Sequence, residues 1–282
     1  MLTASTIQPY PDVDSDNMRL LQTLWRGNPP LTAAGLAMLP IFLLAVLGLF
    51  LDPRLAMGAP VWLKPAKFAI SLGIYDLTLA WIYGRVTVAR RTMRGMAWIT
   101  VAMTIVEMLA ICVQAARGTT SHYNISTPVD IAIFASMGIA IAFAWIASLV
   151  MAVVLIRQRF DNRVLGNAVR CGLVLTVLGS ASGGMMLRPT RWNVAGAHTV
   201  GAPDGGPGMP LTNWSRGHGD LRIPHFLGLH GIQAIPLLGL WLVRRRIAET
   251  LANRIVWVAT LSYLALYVIL LTQAWRGEPI HL

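Results

Sequence analysis

The chain has 282 residues, of which 55% are hydrophobic and only 12% charged, with a mean hydropathy of +0.59 and a formal net charge of +11. A soluble domain carries about 25% charged residues, so most of this surface has to meet something other than water. Two cysteines exclude a disulfide scaffold, and no heptad, solenoid or blade period is present.

Residues 1–28 read as a polar cytoplasmic tail with Asp12, Asp14, Asp16, Arg19 and Arg26. They lack an apolar h-region, so no cleavable signal peptide is expected and the first span directs insertion. Residues 29–276 then form the transmembrane domain, an all-α polytopic helix bundle. A bilayer core of about 30 Å takes roughly 20 helical residues to cross, and the apolar runs predict seven spans near 31–51, 61–84, 95–116, 128–156, 168–187, 223–243 and 255–275. Helix breakers fall at their edges: Asn28-Pro29-Pro30, Asp52-Pro53, Pro60, Pro128 and Pro224. In the fifth run, GLVLTVLGSASGGMM, Gly179, Ser180, Ser182, Gly183 and Gly184 suit close helix–helix approach. The runs are too long, and alternate too little, for a membrane β-barrel.

Orientation follows from lysine and arginine asymmetry. With the N-terminus inside, the cytoplasmic pieces carry fourteen of these residues and the outer pieces nine, four of the nine in the single long segment 188–222. The short loops therefore put the N-terminus in the cytoplasm and the C-terminus outside, as in a multi-pass protein of a plasma membrane (the bacterial inner membrane). Basic side chains at the inner rim meet anionic lipid head groups, so the positive charge calls for no nucleic acid. Cys112 and Cys171 then differ in depth by roughly 20 Å at 1.5 Å per residue, beyond disulfide reach. Segment 188–222 holds GAPDGGPGMP between Trp192, Val200, Met209, Leu211 and Trp214, weight that a plain linker lacks. It reads as an extracytoplasmic lid.

In that orientation all six histidines, His122, His198, His218, His225, His230 and His281, fall on the outer side. The densest stretch is RGHGDLRIPHFLGLHGIQ, residues 216–233, with Arg216, His218, Asp220 and Arg222 ahead of the sixth span. His225 and His230 lie five residues apart, about 140° around a helix, and do not chelate one ion as an i, i+4 pair would. His230 shares a face with Phe226 and Gln233. In the second span Lys64, Lys67, Ser71, Tyr75 and Thr78 form one polar face. Lys64 is expected only to snorkel to head groups, while the face below Lys67 either bonds backbone and neighbouring helices or lines a cavity. Asp76 lies deeper and needs a partner or a proton. Thr104, Glu107 and Gln114 share a face of the third span, and a carboxylate at the depth of Glu107 is protonated, paired or in a wet cavity. Asp130 reads as a helix-start anion.

These residues leave three classes open. The first is a haem- or metal-dependent oxidoreductase acting on a quinone, lipid or other apolar substrate. Haem b or a transition metal ion would be ligated by His122 with His225 or His230, since neutral imidazole suits haem iron, copper and zinc; if these do not hold it, the site moves to His198 and His218 in the lid. Glu107, Lys67, Asp220 and Arg222 are the catalytic candidates. The second class is a transporter or binding protein for a small anion, drawn in by Lys67, Arg188 and Arg222, with Glu107 carrying a proton. The third is a structural or assembly subunit of a membrane complex. No P-loop, GxSxG or CxxCH motif is present, and the last span has no lysine for a retinal.

Overall fold

The computed structural model describes residues 17–280; the polar run 1–16 and His281 lie outside them. The described chain is all-α and membrane-embedded, and it passes the bilayer several times. Six segments are long and apolar enough to cross: Pro29–Leu51, Arg90–Ala116, Pro128–Arg157, Arg163–Leu187, Arg222–Arg244 and Glu249–Trp275. Their outward side chains need lipid: Phe50 is 83% exposed and Leu261 60%.

The first helix, α1 (Asn17–Gly27), stands where only a polar tail is expected. It buries Leu24 and exposes Leu20, Leu21 and Trp25. The Asn28 side chain then accepts the Leu31 N–H at 3.1 Å and Pro29 occupies the first helical position, which starts α2 (Pro29–Leu51) as the sequence predicts. A two-residue hairpin, β1 (Leu55–Ala56) with β2 (Ala59–Pro60), turns the chain into α3 (Leu63–Tyr83). Helix α3 has 21 residues, about 31 Å at 1.5 Å each, but Lys64, Lys67 and Asp76 keep it out of the apolar set. It lies against α2, with the Gly35 and Gly73 backbones in close approach.

Next come α4 (Arg90–Ala116), α5 (Pro128–Arg157) and α6 (Arg163–Gly183), the last running on through a 3-10 turn over Gly184–Leu187. Strands β3 (Thr199–Val200) and β4 (Gly219–Asp220) pair antiparallel within the long connection that follows. The sixth predicted span is not continuous. It divides at His230 into α7 (Arg222–Leu229) and α8 (Gly231–Arg244), and α9 (Glu249–Trp275) completes the chain.

Glycines explain the division. A Cβ on Gly179 would sit 2.4 Å from the Gly228 carbonyl carbon, and one on Gly172 would sit 2.7 Å from the Gly231 oxygen. Helix α6 therefore crosses α7 and α8 backbone to backbone, the contact that small residues permit. Of the small residues expected to serve it, Gly179 does and Gly184 meets nothing within 4 Å. A helix interrupted in hydrocarbon must have its freed backbone groups satisfied by other parts of the protein. Here Tyr263 donates to the Leu227 carbonyl at 2.5 Å, Thr176 donates to Leu229 at 3.1 Å, and the Ile232 N–H donates to Thr176 Oγ1 at 3.0 Å.

The bundle has two unlike ends. At one, Arg85, Arg157, Arg163, Arg170, Arg244 and Arg245 gather, and Gln158 bridges α5 to the α3–α4 turn through the Thr87 N–H and the Arg85 carbonyl. At the other lie the start of α3, the ends of α4 and α9, and the connection 188–221. There Asp130 does more than start α5. It also accepts from Gln114 at 2.8 Å and Arg117 at 2.6 Å, tying the end of α4 to α5. Both cysteines are free.

The glycine crossing predicts an asymmetric response. Gly179→Val should lower stability by about 1–3 kcal/mol, the usual size of overpacking, seen as a lower melting temperature and a broadened elution profile in detergent. Gly184→Ala should behave as wild type, and equal behaviour of the two variants would remove the crossing as the organising contact.

Candidate functional site

A cavity of about 1340 Å³ opens beneath the connection 188–221. Its body is apolar, with Phe68 and Leu72 from α3, Ile111 from α4, and Met137, Ile141 and Trp145 from α5. Its polar groups come from helices α3 to α8 and from two loops, so no short motif encodes the site.

Helix α3 supplies one side. Lys64, Lys67, Ser71 and Tyr75, spaced by three and four, line the cavity as that face predicts. The exception is the expected role of Lys64. Its ammonium turns towards the cavity, 3.0 Å from His122 Nδ1. Lys67 donates to the Thr212 carbonyl at 2.7 Å and so anchors the connection to the bundle. Tyr75 meets Ser148 across the floor at 3.2 Å. Below the floor, Asp76 finds the partner it requires in Thr104, whose hydroxyl lies 3.2 and 3.0 Å from the two carboxylate oxygens.

Five histidines, His122, His198, His218, His225 and His230, line this one cavity. Four of them share a pattern: Nδ1 is fixed by a protein group, and among the described residues none engages Nε2. His198 Nδ1 lies 2.7 Å from Asp204, His225 Nδ1 lies 2.7 Å from the Gly179 carbonyl, and His230 Nδ1 lies 3.2 Å from Gln233 Oε1. Because Asp204 and the Gly179 carbonyl are acceptors, His198 and His225 carry their proton on Nδ1 when neutral and present Nε2 as a lone pair. His122 is the reverse. An ammonium can only donate, so Lys64 makes His122 Nδ1 an acceptor and its Nε2–H a donor.

His122 and His198 lie with ring centroids 6.5 Å apart, and His198 packs edge-on against Tyr123 at 4.9 Å. Tyr123 holds φ 55°, which is uncommon for a bulky residue; the Asn193 side chain fixes it by donating to the Tyr123 carbonyl at 2.9 Å. His230 stands apart from this pair, against Phe226 at 4.2 Å and on the Gln233 face that the sequence predicts. His225, set against Gly183, serves the α6 crossing as well. Of the two histidines expected to act with His122, namely His225 and His230, neither is in ring contact with it, while His198 is.

Asp220 and Arg222 have a structural task. Asp220 is 1% exposed, receives the Arg222 side chain at 2.9 and 2.5 Å, and accepts the Ser215 N–H at 2.7 Å. Arg222 also donates to the Asn213 carbonyl at 2.7 Å. Together they pin the connection to the start of α7, and Arg222 contributes a cation to the cavity wall. Glu107 lies in the same wall, 1% exposed. Among the described residues no group of three or more His, Cys, Asp or Glu side chains is placed to hold a metal ion. The sequence reading misses Asp204 and the inward role of Lys64. Asp204 sits in a glycine- and proline-rich run with no periodicity to mark it.

Electrostatics at the connection favour neutral imidazoles. Burial pushes His122 well below its ordinary value, and the charges of Lys64, His198 and His225 act in the same direction. Burial also lowers His198, against the opposing pull of its Asp204 hydrogen bond. Burial alone would raise the Asp204 carboxyl. The hydrogen bonds from the His198 side chain and backbone and from Thr199 reverse that and hold it below the usual carboxylate range.

Both histidines are thus harder to protonate folded than unfolded. Their contribution to stability is complete above about pH 6.5, the unperturbed histidine value, and is lost as the pH falls below it. Melting temperature should therefore drop between about pH 7 and 5, each group contributing at most about 1.4 kcal/mol per pH unit. The His122→Gln variant should show a shallower dependence. A wild-type profile that is flat over this window would refute the neutral pair.

No protein-family model matches this chain, and no curated protein or solved structure matches it either.

Proposed function

We propose that the protein crosses an inner or plasma membrane seven times, N-terminus inside and C-terminus outside, and that its cavity takes an amphiphilic anion from the outer side. Helix α3 is the seventh span in this reading: its 21 residues match the bilayer core, and its charged groups face the cavity and the interior instead of lipid. The arginine-rich end is the cytoplasmic one. The connection 188–221 is then an extracytoplasmic lid.

The observation that carries the ligand class is that Lys64, Lys67 and Arg222 line the same cavity as the apolar walls of Phe68, Leu72 and Trp145. The two lysines are half-buried and, among the described residues, have no carboxylate in ion-pair contact, which leaves their charge to an anionic head group. The walls below offer room for an apolar body. An acid or phosphate head at the lysines with a hydrocarbon body against Phe68, Leu72 and Trp145 satisfies both parts. The lone-pair Nε2 atoms of His198 and His225 add general-base capacity at the same place.

A second reading follows from the anchoring of Nδ1. An imidazole with Nδ1 donated to an acceptor and Nε2 free is the form that ligates haem iron or a transition metal, and His198 and His225 have it. This reading makes the protein an oxidoreductase on a quinone or lipid. A Soret band in mildly purified protein that is lost in His225→Ala would support it. Colourless, metal-free wild type would end it.

Two measurements test the main reading. Reporter fusions should place Arg159 and Arg245 in the cytoplasm and Gly205 outside; an outside signal at either arginine would overturn the orientation. Trp145 and Trp214 line the cavity, so bound parinaric acid should accept their excitation energy. The acid should bind at least about tenfold more tightly than its uncharged methyl ester, the scale of one hydrogen bond to a charged group, and Lys67→Met should narrow that ratio. Equal binding of acid and ester by the wild type would exclude an anion-selective cavity.

A further inference from the structure

Glu107 differs from the other buried acids. Asp76 is met by Thr104, Asp130 by Gln114, Arg117 and Thr127, Asp204 by His198, and Asp220 by Arg222. Both carboxylate oxygens of Glu107 are buried and without a hydrogen-bond partner. The residue lies nine positions in from the end of α4 at Ala116, about 14 Å along the helix at 1.5 Å per residue, and it belongs to the cavity wall. A carboxyl group held there with nothing donating to it costs free energy that the protein's own side chains do not offset.

The nearest charge that acts on it is Lys64. The two are not in ion-pair contact, and the Lys64 ammonium is engaged by His122. The wall thus carries an acid and a base facing the same space with a gap between them. A single anion answers only the base. A head group bearing an anion and, next to it, a cation with N–H bonds answers both.

Resting on the reading of the cavity as a site for an amphiphilic anion, we propose that the ligand is a zwitterionic lipid whose head combines a phosphate with a primary ammonium, the ammonium donating to Glu107 directly or through one water. A choline-type head, with its nitrogen fully methylated, has no N–H to give. A direct contact asks only for a rotamer change of the flexible glutamate side chain, and a bridging water is nearly as good in enthalpy.

The test is displacement of parinaric acid from the full-length protein in detergent by lysophosphatidylethanolamine and by lysophosphatidylcholine of the same chain length. Wild type should be displaced by the ethanolamine lipid at a concentration at least about tenfold lower, the scale of a hydrogen bond to a charged group. In Glu107→Gln and Glu107→Leu that ratio should fall towards one. Because the carboxylate accepts no hydrogen bond in the ligand-free protein, Glu107→Gln should melt no lower than wild type. Equal displacement by the two lipids in the wild type, a ratio that survives in Glu107→Leu, or a lowered melting temperature for Glu107→Gln would each overturn the inference. If parinaric acid itself fails to bind, the reading of the cavity falls instead, so the two failures are distinguishable.

Discussion

Helix α6 meets α7 with no side chain between them, because Gly179 and Gly228 bring two backbones into contact. Much of the site depends on that approach. It sets the Gly179 carbonyl within reach of His225, so the imidazole is held by the backbone of a neighbouring helix. It also puts Thr176 beside the interruption at His230, where one hydroxyl serves as donor to Leu229 and acceptor from Ile232. A larger residue at either glycine would separate the helices and release those bonds together. In hydrocarbon the freed groups would have no water to turn to.

Most charged groups around the cavity are met by a protein partner, as Arg222 is by Asp220 and Lys67 by the Thr212 carbonyl. These contacts order the segment 188–221, which is rich in glycine and proline and has little regular structure of its own. Such a segment gains its shape from side-chain anchors where ladder hydrogen bonds are few, and β3–β4 spans only two residues on each side. Among the described residues the Glu107 carboxylate has no hydrogen-bond partner, and it sits in the wall of the cavity.

The class of fold was readable because hydrophobic runs of membrane length have few other uses. Span limits were readable where a cap or proline marks them: Asn28 with Pro29 starts α2, and Thr127 with Pro128 starts α5. The polar face of α3 and the Phe226–His230–Gln233 grouping emerged from helical spacing alone. Three things did not. Helix α1 lies in a run whose polarity hides a narrow apolar stripe. The division at His230 needs the partner helix, since Gly228 and Gly231 become a break only against α6. The His198–Asp204 contact joins two residues of an aperiodic loop, and the inward turn of Lys64 depends on where the loop after α4 puts His122. Periodicity reports which face a residue occupies; it does not report what another loop brings to that face.

The strand nearest the site has its support in the last helix. Gly219 packs so tightly on Ala274 that a Cβ there would lie 2.1 Å from the Ala274 oxygen, and Gly277 lies beside it and beside Val200. Arg188, at the start of the same connection, stacks its guanidinium on Trp275. During synthesis, then, part of what the roof of the cavity rests on emerges last. Lys67 and Arg222 can hold the connection before α9 is made, but the seats of Gly219 and Arg188 on Ala274 and Trp275 form only once α9 has followed. The cavity is therefore fully roofed only when the last helix is in place.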